Sequence, residues 1–400
     1  MIHFKPFRAA LWIIGVLSFA TSPLMAQTNT TEAARWLDYA TPVPQFTVPE
    51  TKAAWTKRRS EIRATLNSLL GKLPPRPKIA PATMSFETFK RLQRGSWDQK
   101  ILRSTFAVQT LSREDRGDFV LEKFQFDNRA GATVPGYLLL PKIASATNKA
   151  PAILYCHQHG GQYGKGGKEE LFIAGNPVPV APGPELAKRG FVVVAIDAYC
   201  FGERDGKGPG GPNEKGSAGE MTASKFNLWA GRSLWGMIVR DDQMALDYLC
   251  SRPEVDAARV GVTGFSMGAT RAWWIMALDD RLKSGVPVAC LTRYQNLIAR
   301  EKLSAHGIYY FVPGMLNHFD TEAVIACIAP RPLLFMTGDA DGGSPADGIR
   351  IIEAKAKPAW KLFGKESDYV SELYPGLGHK YLPEMWEKTL AWLDKHLKTP

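Results

Sequence analysis

The sequence predicts an α/β fold in which a mostly parallel central sheet has helices on both faces, behind an N-terminal helical extension. Short apolar runs at 151–156, 191–196 and 333–336 have the length and continuity of strands that are buried on both faces. These runs alternate with longer amphipathic segments, which is typical of parallel sheets. Because such sheets place function at the carboxyl ends of their strands, the loops after the strands are expected to form the site.

The N-terminus has the pattern of a secretory signal peptide over residues 1–26. Lys5 and Arg8 precede the apolar stretch Leu11–Ala20, and Ala26 offers a cleavage site. We therefore expect export to the periplasm or beyond, with no stable membrane insertion after the signal is removed. An uncleaved membrane anchor is the alternative, although the apolar stretch is short for a span.

The next segment, 27–110, is expected to be a leader and helical extension ahead of a catalytic domain at 111–400. Residues 27–48 contain Thr, Pro and Gln and predict a strap or disordered leader. Helical periodicity covers Trp55–Leu70, and a polar, variable stretch follows to about residue 110.

The catalytic domain is predicted to alternate strands with helices. An antiparallel hairpin opens it, and buried strands and helices follow. The predicted strands are 119–126, 134–140, 151–156, 191–196, 260–263, 286–290, 333–336 and 371–374. Helices are predicted over 226–249, 269–278 and 383–397, and residues 185–189 are predicted to be the end of another helix.

Composition narrows the class of protein. The chain has 400 residues, 45% hydrophobic and 22% charged, as in ordinary globular enzymes, with a net charge of +11. Its basic residues are dispersed, and the densest cluster, 57–59, lies in an amphipathic helix pattern, so we read it as a solvated helix face and expect no nucleic-acid partner. The five cysteines have apolar neighbours and form no C-x-x-C, which favours buried thiols and leaves any disulfide pairing open.

The segment Gly264–Gly268 matches the G-x-S-x-G nucleophile elbow. A strand pattern precedes it and a helix pattern follows it, as this sharp turn requires. Ser266 is therefore the candidate nucleophile, and it needs a base and an orienting carboxylate.

The base and the acid should follow the nucleophile along the chain, each in a loop after a strand. His379 is the one histidine of seven in the expected place, after the last strand and before the closing helix. The acid should follow strand 333–336, where Asp339 and Asp341 compete. We favour Asp341, because the loop has turned by then, and keep Asp339 as the alternative.

Acyl transfer also needs backbone N–H groups for the oxyanion. One is expected from Met267, directly after the nucleophile, and the other from the loop after strand 151–156. We assign the second to His159, with Gln158 as the near alternative. His157 and His159 are two apart, but no third ligand is visible, so no metal site is predicted.

The chain resembles the α/β-hydrolase superfamily, in particular its dienelactone-hydrolase-like and acetyl-xylan-esterase-like branch. The resemblance covers about residues 55–398 and rests on the order of several short segments, each modest alone. These are Leu69–Gly71 with Leu73-Pro74, Tyr155–Gly160, Glu185–Gly190, Phe201–Arg204, the elbow, Ala329–Pro332 and Gly378-His379. It implies the α/β-hydrolase fold and no metal or organic cofactor. The family pattern places the acid three residues beyond Gly338, which again selects Asp341. Dienelactone hydrolases use cysteine as the nucleophile, whereas this chain has Ser266, which favours ester hydrolysis.

These observations predict a secreted serine esterase with a small-molecule or carbohydrate ester as its substrate, for example an acetyl ester. Tyr309, Tyr310 and Arg293 are candidates for a substrate-binding wall near the site. A serine peptidase or an acyltransferase on the same fold, or a non-catalytic binding module, are the alternatives. Acyl and alcohol specificity and the oligomeric state stay open.

Overall fold

The computed structural model describes residues 31–39, 42–80, 86–94, 105–175 and 177–398. The predicted signal peptide lies outside these residues. A small parallel sheet pairs β1 (Lys78–Ile79) with β2 (Thr105–Phe106). The main sheet contains β3 (Val108–Asp115), β4 (Phe119–Asp127), β5 (Thr133–Pro141), β6 (Ala150–Cys156), β7 (Val192–Ile196), β8 (Val255–Phe265), β9 (Leu282–Val288), β10 (Leu333–Gly338) and β11 (Tyr369–Tyr374).

The main sheet has the order β11-β10-β9-β8-β6-β7-β5-β4-β3. The strands from β11 to β7 run parallel, whereas β5, β4 and β3 add an antiparallel edge. The predicted mostly parallel α/β sheet and its opening hairpin are therefore confirmed. Because β6 and β8 are adjacent and parallel, the loop after Cys156 and the turn after Phe265 meet at the carboxyl ends of these two strands.

Helices cover the sheet and connect its strands. They are α1 (Glu32–Tyr39), α2 (Lys52–Leu69), α3 (Phe86–Arg94), α4 (Pro182–Lys188), α5 (Gly216–Trp229), α6 (Leu234–Ser251), α7 (Met267–Leu278), α8 (Tyr294–Ala299), α9 (Thr321–Ala326), α10 (Ala346–Lys361) and α11 (Pro383–Leu397). Within the part of the chain that the structure describes, no helix is both long and apolar enough to cross a membrane.

Two apolar cores lie on opposite faces of the sheet, as the alternation of side chains along β6 shows. Ala152 and Leu154 belong to one core, whereas Ile153 and Tyr155 belong to the other. Period-2 alternation sends successive side chains to opposite faces, so β6 is buried on both. This explains why its sequence is a continuous apolar run.

The described parts of the N-terminal extension contain more helices and strands than the sequence predicted. Part of the predicted leader forms α1, and the stretch expected to be polar and variable contains β1, α3, β2 and the start of β3. Helix α2 buries Trp55, Ile62 and Leu66, as its periodicity indicated. The prediction that residues 57–59 form a solvated helix face is wrong for Arg59, because its guanidinium donates to Asp280 and to the Cys327 carbonyl.

The single helix predicted over 226–249 is wrong, because the chain breaks it into α5 and α6. Gly231 adopts φ of 72°, which ends α5 in the left-handed conformation that glycine accepts most easily. Ser233 then caps α6 by accepting from the N–H of Gly236 at 3.0 Å. Apolar periodicity continued across the break and hid these capping signals.

Strand β9 ends two residues before the predicted limit. Ala289 and Cys290 have φ of 62° and 49°, a conformation unusual for residues with a side chain. Two successive left-handed residues turn the chain away from the sheet directly beside the elbow. The apolar composition of 286–290 concealed this turn, because burial alone does not separate a strand from a buried bend.

Candidate active site

Ser266 stands at a sharp turn between β8 and α7. Its φ of 58° and ψ of −120° are strained for a serine, as the nucleophile elbow requires. A Cβ on Gly264 or on Gly268 would overlap the carbonyl oxygen of Cys156. The two glycines of the motif therefore let the turn pack against the end of β6, where an oxyanion site is expected.

His379 lies between Ser266 and Asp341. Its Nε2 is 2.9 Å from Ser266 Oγ, and its Nδ1 is 2.7 Å from Asp341 Oδ2. The imidazole side chain is 41% exposed, whereas that of Asp341 is 3% exposed. The arrangement suits a tautomer in which Nδ1–H donates to the carboxylate and Nε2 accepts from the serine hydroxyl.

The two competing aspartates have different partners. Asp341 Oδ1 accepts from the N–H of Gly343 at 3.0 Å while its other oxygen contacts His379. Asp339 Oδ1 accepts from the N–H of Gly376 at 2.7 Å. Asp339 therefore accepts from the backbone of the loop that carries His379, and its carboxylate makes no contact with the imidazole among the hydrogen bonds of the described residues.

The loop that holds Asp341 is fixed by two side chains from the segment after β9. His306 Nε2 and Thr292 Oγ1 each lie 2.8 Å from the carbonyl oxygen of Gly343. Because that oxygen only accepts, His306 carries its proton on Nε2. Burial lowers the pKa of His306, which keeps the imidazole neutral in this position.

The thiol of Cys290 lies close to the candidate nucleophile, with Sγ 3.9 Å from Ser266 Oγ. Burial, with a contribution from Asp341, raises the pKa of this thiol to about 12. It therefore stays protonated at neutral pH and does not compete with the serine as a nucleophile.

Of the two candidate oxyanion donors in the loop after β6, His159 has a free backbone N–H and Gln158 does not. Gln158 N–H donates to Glu170 Oε2 at 3.0 Å, so the alternative oxyanion donor is already engaged. Among the described residues, the N–H groups of His159 and Met267 have no protein acceptor. Met267 is also the first residue of α7, where the helix end favours negative charge.

The ring of His159 is enclosed by side chains from several segments. It stacks on Tyr309, with centroids 4.9 Å apart, and its Nε2 is 3.2 Å from Glu220 Oε1. Tyr163 and Phe201 contact it edge-on, each with centroids 5.0 Å away. This enclosure fixes the residue whose backbone amide is free.

The three residues of the predicted substrate wall all have partners within the protein, and a role in substrate binding stays a prediction. Tyr309 is 4% exposed and backs His159, and Tyr310 is 2% exposed and stacks on His306. Arg293 forms an ion pair with Glu322 at 3.2 Å. In this arrangement burial encloses Tyr310, and the ion pair engages the guanidinium of Arg293.

Three side chains around the site escaped sequence reasoning: Glu170, Glu220 and His306. Each comes from a segment between strands, and none lies in a motif. Within the described residues, no group of three or more His, Cys, Asp or Glu side chains is arranged to hold a metal ion.

Comparison with known proteins places the fold. Residues 98–344 match the Abhydrolase family. The chain is 38% identical over 253 residues to a Bacillus subtilis (strain 168) protein named "Putative hydrolase YtaP", covering 63% of this chain and 80% of that protein.

Two solved structures share the architecture. One is a "putative acetyl xylan esterase" from Bacteroides fragilis NCTC 9343, with a TM-score of 0.63 and 19% identity over 90% of this chain and 93% of that chain. The other is a glucuronoyl esterase from Solibacter usitatus, with a TM-score of 0.60 and 18% identity over 90% of this chain and 99% of that chain.

Proposed function

The chain belongs to the Abhydrolase family, and from that premise we propose that it is a serine esterase that hydrolyses carboxylic esters through an acyl-enzyme. The observation on which the proposal rests is the continuous contact from Ser266 Oγ through His379 to Asp341, at 2.9 Å and 2.7 Å. These three groups are the nucleophile, base and orienting acid that acyl transfer needs.

In the first half-reaction, Ser266 Oγ attacks the ester carbonyl carbon and His379 Nε2 takes the hydroxyl proton. Asp341 stabilises the imidazolium that forms. The carbonyl oxygen becomes an oxyanion, which accepts hydrogen bonds from the free backbone N–H groups of Met267 and His159. The intermediate then collapses, His379 returns its proton to the departing alkoxide, and the acyl group stays on the serine.

In the second half-reaction, His379 deprotonates a water molecule that attacks the acyl-enzyme carbonyl. The tetrahedral intermediate collapses to a carboxylic acid, and the proton returns to Ser266 Oγ. The side chain of His379 is 41% exposed, so water has access to the base. This access favours hydrolysis over an acyltransferase, which must keep water away from its acyl-enzyme.

The substrate we propose is an ester on a carbohydrate, such as an acetyl group on a plant polysaccharide. The names of the two similar structures support this class, and the exposed His379 suits an ester that is attached to a bulky chain. The signal-peptide pattern at 1–26 supports export, where such polymers are met.

The test is hydrolysis of a series of p-nitrophenyl esters and of acetylated xylan oligosaccharides by the mature protein, beside Ser266→Ala. We expect turnover of the acetyl ester and a fall in kcat on the order of 10⁶-fold in the variant, whose circular dichroism should match the wild type. Activity retained by Ser266→Ala would contradict the mechanism. Turnover of peptides alone would favour a serine peptidase, and no turnover of any substrate would favour a binding module.

A further inference from the structure

The carboxylate of Glu170 joins β6 to the loop that follows it. Glu170 lies in a 3-10 turn, Gly167–Phe172, and is 4% exposed. Its Oε1 accepts from the Tyr155 hydroxyl at 2.6 Å, and its Oε2 accepts from the N–H of Gln158 at 3.0 Å. Both oxygens of a buried acid are therefore committed to this strand and its loop.

The bond from Gln158 to Glu170 and a second bond from His157 orient two successive peptide planes after β6. A peptide unit is planar and trans, so its N–H and C=O point in opposite directions. The Gln158 N–H points to Glu170, and the His157 carbonyl of the same plane faces Arg271 Nη1 at 3.5 Å. The next plane is held by His157 Nδ1, 2.7 Å from the Gln158 carbonyl oxygen, so the His159 N–H points away from that contact.

We propose that Glu170 is a positioning residue of the oxyanion hole. It takes the Gln158 amide out of competition and fixes the first of the two planes, which leaves the His159 amide as the donor. This inference rests on the proposed esterase function. It adds to that function a residue that touches neither the substrate nor the triad.

A merely structural role accounts poorly for this carboxylate. Burial raises the pKa of Glu170 to about 7, so keeping an acid here is costly. Among the described residues, no cation forms an ion pair with it, and the nearby Arg271 is bound by Asp242 at 2.6 Å and 3.0 Å. An apolar side chain would fill the space without that cost, whereas only an acceptor holds the Gln158 amide.

The turn that carries Glu170 is itself attached to the sheet. Lys168 is fully buried, with its N–H 2.7 Å and its Nζ 3.1 Å from the two carboxylate oxygens of Asp197. Asp197 follows β7 directly, so the turn is anchored to the sheet. A support attached to a strand places an acceptor more reproducibly than a free loop does.

The experiment compares Glu170→Ala with Glu170→Gln, using p-nitrophenyl acetate. We expect the alanine variant to lose about 10- to 100-fold in kcat, less than for deletion of an oxyanion donor, with KM changed less than about 3-fold. The glutamine variant should recover to within about 5-fold of wild type, because its amide accepts from Gln158 and donates to the Tyr155 oxygen.

The matched control is Glu169→Ala, on the adjacent residue of the same turn. Glu169 is 44% exposed at its side chain and accepts from Tyr137 Oη at 2.8 Å rather than from the loop. We expect its kcat to match the wild type. A wild-type kcat in Glu170→Ala, or a loss that glutamine does not rescue, would overturn the inference.

A fourth variant keeps the test decisive if Glu170→Ala does not fold. Glu170→Asp keeps the charge but withdraws the carboxylate by one methylene, so its kcat should fall below that of Glu170→Gln. The reverse order overturns the inference. Wild type and Ser266→Ala are assayed alongside these variants. Turnover by the wild type that is lost in Ser266→Ala upholds the esterase function, whatever the Glu170 variants show. No turnover by the wild type overturns both proposals.

Discussion

The loop after β11 and the loop after β6 both hold a histidine against a carboxylate, yet only one arrangement suits a base. His379 contacts Asp341 through Nδ1 and leaves Nε2 for Ser266. His159 contacts Glu220 through Nε2, while its Nδ1 accepts from the N–H of Gly161 at 3.2 Å. The second nitrogen decides the role, because a base needs one nitrogen free to receive the reacting proton.

A third histidine extends the comparison. His157 is fully buried, with Nε2 accepting from the N–H of Ala198 at 3.0 Å and Nδ1 donating to the Gln158 carbonyl. The backbone donor at Nε2 fixes the neutral Nδ1–H tautomer. Burial holds the pKa of His157 well below its ordinary value. Burial and complete pairing thus turn an imidazole into a fixed support for the loop.

The largest expected effect separates the two aspartates of the acid loop. Asp341→Asn should lower kcat on the order of 10⁴-fold, because an amide no longer holds His379 in the correct tautomer. Asp339→Asn should change kcat less than about 3-fold, since an amide oxygen still accepts from Gly376. Steady-state kinetics on p-nitrophenyl acetate measures both. The opposite ranking would move the acid role to Asp339.

The next effect concerns stability and tests His157 as a neutral support. His157→Leu leaves the Ala198 N–H and the Gln158 carbonyl unpaired, so the free energy of unfolding should fall by about 2–5 kcal/mol at pH 8. Urea unfolding followed by circular dichroism measures this. A variant as stable as the wild type would show that the two bonds contribute little.

The same pair of proteins tests the pH dependence. The native state keeps His157 neutral, whereas the unfolded state binds a proton below about pH 6.5. The wild type therefore loses up to about 1.4 kcal/mol per pH unit from this group as the pH falls below 6.5, and the variant does not. The stability gap should narrow by about 2 kcal/mol between pH 8 and pH 5. An unchanged gap would show that His157 is protonated in the native state.

The smallest expected effect tests the second histidine–carboxylate pair. Glu220→Gln keeps an acceptor for His159 and leaves its aromatic neighbours in place, so kcat should fall less than about 5-fold. The same ester assay measures it, with Ser266→Ala as the inactive reference. A loss above about 100-fold would mean that this pair takes part in the chemistry and that the contrast with His379 fails.

Sequence patterns predicted eight of the nine strands of the main sheet, most of them within a few residues, because a strand that is buried on both faces has a continuous apolar sequence. Strand β3 was missed, because it is polar and largely exposed. They failed where local signals conflicted with periodicity, as at Gly231 between α5 and α6. The residues proposed as a triad were found from a motif and from chain order. Glu170, Glu220 and His306 were not, since they approach the site from segments whose paths depend on tertiary packing.

By itself the sequence determined the α/β architecture, the elbow at Ser266 and the identity of the histidine that meets it. These follow from short-range constraints: strand periodicity, the glycines of a sharp turn, and the loops at the ends of parallel strands. Only the tertiary structure decided between Asp341 and Asp339 as the partner of His379, and between His159 and Gln158 as the free amide. The reason is that each choice depends on which distant group takes the other partner, and such competition becomes visible only when the chain is folded.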